Sequence, residues 1–399
     1  MRALTRRAFT LLAAAVPLFA ARAAAFKFPA NQPSAAKPQV PAKAPAAPDV
    51  LALFHKALRD LQTKDRKLVT VLHLGDSHVA ADYLTAPIRA ALQKKYGNAG
   101  RGLVQLPAYK YYRIDGAKFS MQGDWKQLNS RTDDQKTFGI TGVSMASTKA
   151  GDTLTASSPG AQNTIVQFLR LPGGGKASLS IGAKSKDFST DGELQPTYMS
   201  VPGDSVTVTA EGPEPVNVLG VEFTRDTCGV RYLNLGIPSA TAMVIDRWNE
   251  TVLAKQMDGL KPSLFIFAFG VNEAFSESAD IEAWKVDVRK NIDALHGLTP
   301  HASWVIVGPS DAQRDHGEGA ACDGAWVIPS HLEVVRATLN AIATDIGALF
   351  WDWQKEMGGP CSMPKWIAAG DGRGDHVHFT EAGYGKLATL LLNTILPKS

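Results

Sequence analysis

Four short segments, far apart in the chain, carry the residue types that acyl-transfer chemistry needs. In residues 69–80, VTVLHLGDSHVA, an apolar run halts at Gly75, Asp76, Ser77 and His78. A serine becomes a nucleophile when a base takes its proton and a third group orients that base. Residues 375–378, DHVH, offer both. Asp375 and His378 are three apart, which can turn both side chains to one side of a tight turn. Asp375 would hold one imidazole nitrogen and leave the other to face Ser77. The developing oxyanion needs donors. The segment FGVNEAF offers Gly270, Asn272 and Glu273, and LNLGIPSAT offers Asn234, Gly236 and Ser239. The chain order is Ser, Asp, His, and the absence of G-x-S-x-G argues against the ordinary α/β-hydrolase elbow.

These segments need a frame that brings strand ends together. Residues 68–74 read as a strand and 263–269, SLFIFAF, as a continuous apolar strand buried on both faces. Residues 304–307 and 349–353 read as further strands. Helical spacing predicts helices over 80–96, 243–257, 281–295, 327–346 and 381–396, with an earlier one capped by Asp49. Strands alternating with helices imply a parallel sheet covered on both sides. In such sheets ligands sit at the carboxyl ends of the strands, where Ser77 would project from a turn with its own N–H and a helix N-terminus facing the same space. Between about 106 and 225 the helical period vanishes. Short runs such as NTIVQFLRL and DSVTVTA stand between Gly, Asp and Pro, the texture of an antiparallel sandwich.

Of 399 residues, 45% are hydrophobic and 20% charged, ample for a large core. The net charge of +4 equals the four arginines of residues 1–25, which contain no acid, so the rest is neutral and gives no case for nucleic-acid binding. Residues 1–25 have a basic start, a short apolar run and the small-residue site AAA, the pattern of a cleaved secretory signal. Arg6 and Arg7 make the twin-arginine route an alternative to the general one. Residues 26–48, rich in Pro and Ala, read as a tether. Export leads to an oxidising compartment, the periplasm, where Cys228, Cys322 and Cys361 imply one disulfide and one thiol. Three pairings are open; Cys322 with Cys361 is preferred, since both lie in late loops rich in Gly and Pro.

The four segments, in this order, resemble the SGNH (GDSL-type) hydrolase family, with G-D-S after the first strand, a Gly-bearing turn after the second, G-x-N after the third, and D-x-x-H before the last helix. Gly75-Asp76-Ser77-His78, the Asn272-Glu273 pair and the β stretch between the first two blocks look most like peptidoglycan O-acetylesterases. The resemblance implies a flavodoxin-like parallel sheet sandwiched by helices, formed by 49–105 and 227–399, with an inserted antiparallel β-sandwich over 106–226 that binds glycan. It implies Ser77 as nucleophile, His378 as general base and Asp375 as its orienter. The oxyanion donors would be the Asn272 amide and the backbone N–H groups of Ser77 and Ser239, with Gly236 as the fallback for the last, because the family has glycine where Ser239 stands. No cofactor or metal is implied. The substrate would be an O-acetylated glycan, most naturally peptidoglycan.

Other residues read more simply. Asp76 is a turn hydrogen-bonder, His73 and His78 pack, His376 points away, and Glu273 caps its loop. Trp125, Trp248, Trp284, Trp351 and Trp353 belong to the core, while Tyr109, Tyr111 and Tyr112 line either a glycan groove or a hinge. Three rival functions use the same residues: acetyl transfer to a glycan, a metal-dependent phosphoesterase built on Asp76, His78, Asp375 and His376, and a non-catalytic glycan binder.

Overall fold

A computed structural model describes residues 49–106 and 113–397. The leader, the tether and Tyr109, Tyr111 and Tyr112 lie outside the described residues. Five strands form a parallel sheet in the order Gly229–Gly236, Leu68–Gly75, Leu264–Ala268, Ser303–Val307, Leu349–Trp351. By position in the chain this is 2-1-3-4-5, the flavodoxin-like order, whose switch point lies between the Leu68–Gly75 and Leu264–Ala268 strands. Successive side chains of a strand point to opposite faces. Leu72, Leu74, Phe265 and Phe267 accordingly enter one core layer, with Leu253 and Val288 from helices Glu250–Leu260 and Ile281–Gly297. Val69, Val71, Leu264 and Ile266 enter the other, with Phe54, Ile88 and Leu391 from helices Ala52–Thr63, Thr85–Tyr96 and Glu381–Ile395. Both faces being covered, the strands are apolar throughout.

Between the first two strands of that sheet the chain builds two antiparallel sheets, one of six strands and one of five. Val166, Phe168 and Val218 of the first share a core with Leu154, Leu179 and Val208 of the second. Strand Val216–Thr224 is buried along its whole length. Its Leu219 joins Leu169 against Val252 of helix Glu250–Leu260, so the six-stranded sheet leans on the parallel-sheet portion.

The helix expected over 80–96 is split into Ser77–Ala80 and Thr85–Tyr96. The break centres on Asp82, at φ +58°. Its fully buried carboxylate takes hydrogen bonds from Thr85, Arg89, Asn234 and the Asp115 N–H, and meets Arg101. Residues 243–257 divide into a 3₁₀ turn, Ala242–Arg247, and the helix Glu250–Leu260, which Asn249 caps. Residues 327–346 begin as strand Trp326–Pro329, paired with Arg314–Asp315 and Gly319–Asp323 in a third small sheet, before helix Leu332–Asp345. Asp49 accepts the Leu51 N–H just ahead of helix Ala52–Thr63 rather than occupying its cap. Cys322 and Cys361 form a disulfide and Cys228 is free. No helix among the described residues is long and apolar enough to cross a membrane.

Candidate active site

Strand Leu68–Gly75 ends where its neighbours press closest. Gly75 pairs with Gly236 on one side and Ala268 on the other. A Cβ on Gly75 would stand 2.5 Å from the Ala268 carbonyl oxygen, so only glycine fits. Asp76 then caps the four-residue helix Ser77–Ala80 by accepting the His78 N–H at 2.9 Å. Ser77 becomes the first helical residue, where no backbone acceptor reaches its N–H.

The last helix, Glu381–Ile395, is capped by Thr380, whose hydroxyl accepts the Gly383 N–H. The loop before it brings His378 to Ser77: the serine Oγ lies 2.9 Å from His378 Nε2. His378 Nδ1 donates to Asp375 Oδ2, also at 2.9 Å, which leaves Nε2 as the acceptor. The other oxygen, Oδ1, takes the N–H groups of Val377 and His378. Burial pushes the Asp375 carboxyl up, but the bond from His378 and the two backbone donors outweigh it, and its pKa falls below the usual carboxylate range. It stays an anion beside the imidazole. The hydroxyl, imidazole and carboxylate form one continuous relay.

Asn272 lies in the short helix Val271–Ala274, entered through Gly270 at φ +138°. Its amide donates to the Ala240 carbonyl at 2.8 Å and reaches within 3.5 Å of Asp76 Oδ2. The residue before Ala240 is Ser239, exposed and at φ +57°. This left-handed conformation favours glycine. Among the described residues no acceptor meets the Ser239 N–H. Gly236 differs: its N–H faces Asn234 Oδ1 at 3.3 Å, and a Cβ there would meet the Ala80 nitrogen at 2.2 Å, so its glycine serves packing.

Two buried acids lie behind these groups. Burial raises Asp76 to about 8, with the nearby Glu273 carboxyl adding to the effect and the His78 N–H opposing it. Burial raises Glu273 to about 7 against the pull of the Ala242 N–H, which its Oε1 accepts at 2.7 Å. His78 is buried and bonds Tyr384 through Nδ1, its ring 5.1 Å from that of His378. His73 bonds Tyr232, and burial lowers its pKa to about 3. His376 turns from Ser77 toward Gln313 and Trp326. The four residues of the metal reading thus have separate partners, and no group of three or more His, Cys, Asp or Glu suited to a metal occurs among the described residues.

Sequence reasoning brought out Ser77, His378, Asp375 and Asn272, which the fold draws to one end of the sheet. It missed Asp82, whose signal was an acid three residues before Thr85 inside a helical run, and it missed Trp326.

A GDSL-like lipase/acylhydrolase family model matches residues 201–386, a span that includes Ser239, Asn272, Asp375 and His378. Over that span the chain is similar to the GDSL-like lipase/acylhydrolase family. The chain also shares its fold with a solved peptidoglycan O-acetylesterase, at TM-score 0.72 and 24% identity over 87% of this chain and 96% of that one. A family two carbohydrate esterase from Clostridium thermocellum, solved with cellohexaose, aligns over 70% of this chain and 98% of that one. At 12% identity and a TM-score of 0.31, that likeness carries no argument for this chain. No curated protein matches the sequence.

Proposed function

We propose that this chain is an SGNH hydrolase, a serine esterase that removes O-acetyl groups from an extracytoplasmic glycan, most naturally peptidoglycan. The observation that carries the proposal is the relay of Ser77 Oγ, His378 and Asp375, each contact 2.9 Å, beside the Asn272 amide. Ser77 attacks the acetyl carbonyl while His378 Nε2 takes its proton. The imidazolium so formed is held by the Asp375 anion. Charge on the carbonyl oxygen is met by the N–H groups of Ser77 and Ser239 and by the Asn272 amide. His378 then protonates the sugar oxygen as the ester C–O bond breaks, so that the sugar leaves as its hydroxyl and the acetyl stays on Ser77. Water, activated the same way, releases acetate and restores Ser77.

The glycan reading is supported by the shared fold with the peptidoglycan O-acetylesterase. Export to the periplasm is supported by the leader-like residues 1–25 and by the disulfide. In this reading the segment 106–226, which supplies every strand of the two antiparallel sheets but Gly102–Val104, forms an inserted β-sandwich that holds the glycan strand.

The test is acetate release from O-acetylated peptidoglycan and from acetylated xylan, with Ser77→Ala as control. Release from peptidoglycan by the wild type, lost in Ser77→Ala, is the expected result. Retained activity in Ser77→Ala would refute the site, and preference for xylan would refute the substrate. Acetyl transfer to an added glycan acceptor in place of release would identify a transferase.

A further inference from the structure

The relay's loop carries one strained residue. His376, between Asp375 and His378, sits at φ +57°, a conformation a histidine adopts only when its surroundings impose it. Two sets of contacts impose it. Gln313, fully buried, takes the His376 Nδ1–H on Oε1 at 2.9 Å and donates its backbone N–H to the His376 carbonyl, also at 2.9 Å. Trp326 lies flat against the imidazole, centroids 3.5 Å apart and planes 7° apart.

Trp326 and Gln313 both belong to the small sheet and its entry, residues 313–329. That segment also reaches the other side of the site. Arg314 donates to the Phe275 carbonyl at 2.8 Å, pairs with Glu277 and stacks its guanidinium over the Phe275 ring. Phe275 follows directly on the short helix that holds Asn272. The outer strand of the sheet, Gly319–Asp323, is tied through Cys322 to Cys361, whose N–H is fixed by the buried Asp311. A single three-stranded sheet and its entry therefore grip the loop of the base and the loop of the amide donor, and a covalent bond anchors them to a third.

We propose that residues 313–329 act as a clasp that sets the spacing of the two loops, and that Trp326 is its principal positioning residue. The inference rests on the serine-esterase reading. Trp326 stacks on His376, and through it acts on the peptide units that aim Asp375 and His378. Catalysis depends on such aim more steeply than binding does, since misplacing a reacting group by about 1 Å can cost about 10²-fold. A loosened clasp should therefore lower kcat and leave KM.

The test uses the full chain and a chromogenic acetate ester. Trp326→Ala should lower kcat by at least about tenfold, with KM within about twofold and an unchanged melting temperature. Trp326→Phe, which keeps a flat ring over His376, should recover most of the rate. Cys322→Ser, which leaves the stack but frees the anchor, should lower kcat severalfold, and it serves as the deciding variant should Trp326→Ala fail to fold. The clasp is overturned if Trp326→Ala or Cys322→Ser keeps kcat within twofold of wild type while Ser77→Ala is inactive. It is equally overturned if Trp326→Phe loses as much as Trp326→Ala. Activity in Ser77→Ala would instead overturn the site itself.

Discussion

Asn272 donates its side-chain amide to the Ala240 carbonyl across 2.8 Å, joining the loop after the third strand of the sheet to the turn after the second. In the esterase reading, one side chain thus both offers a donor at the Ser77 end of the sheet and holds the turn that would present the Ser239 N–H. Asn272→Ala should lower turnover of an acetate ester by about 10²–10³, the cost of an oxyanion donor. A loss below threefold in kcat would remove Asn272 from that role.

Ser239 occupies a left-handed conformation at φ +57°. Glycine adopts it freely, whereas a β-branched side chain there is a genuine outlier. Ser239→Gly should keep kcat within about threefold, because the donor is a backbone N–H, and should not lower the urea midpoint. Ser239→Val should destabilise the fold by about 1–2 kcal/mol, within the cost of a strained backbone position.

Stability should depend on pH with opposite signs at two carboxyls. Asp375 is depressed, so its contribution is present above the ordinary carboxylate pKa of 3.8 and lost as pH falls. Asp76 is raised from 3.8 to about 8, so its contribution is full below 3.8 and fades as pH rises toward 8. Between pH 5 and 8 the melting temperature should therefore fall more in the wild type than in Asp76→Asn, which keeps an acceptor for the His78 N–H. Parallel curves for the two proteins would contradict the assignment.

Asp82 should be the most costly surface-remote substitution. Its carboxylate is held below the usual carboxylate range, burial being outweighed by Arg101 and Arg89. Asp82→Ala removes the shared anion between two buried guanidinium groups, and breaking a buried pair in this way costs about 3–5 kcal/mol. Denaturant unfolding reads the loss directly; a change under about 1 kcal/mol would show that the arginines find other acceptors.

What the sequence revealed was whatever depends on near neighbours. The buried strand Leu264–Ala268 is apolar at every position, and Asp375 with His378 forms a local turn, so both were legible. The split at Asp82 was hidden because its partners Arg101 and Asn234 arrive from other elements. Strand Lys184–Ser189 is exposed along most of its length and shows no apolar alternation. Strand Trp326–Pro329 was absorbed into the helix behind it, because its apolar run continues that helix's pattern. The stack of Trp326 on His376 had no sequence signal, since nothing near either residue names the other.

The strand order has a bearing on how the molecule comes into being. Leu68–Gly75 occupies an interior place in its sheet, yet its first partner pairs from Gly229 onward and its second from Leu264. At about 5–20 residues per second, a ribosome leaves that apolar ribbon unpaired for on the order of ten seconds. The antiparallel sheets, made of pairings closer in sequence, have time to close first. We expect nascent chains halted before Gly229 to resist protease across the antiparallel sheets while remaining cleavable around Leu68–Gly75; uniform protection would contradict this order. The serine that the ribbon carries at its tip would thus meet its imidazole only after nearly the whole polypeptide has been made.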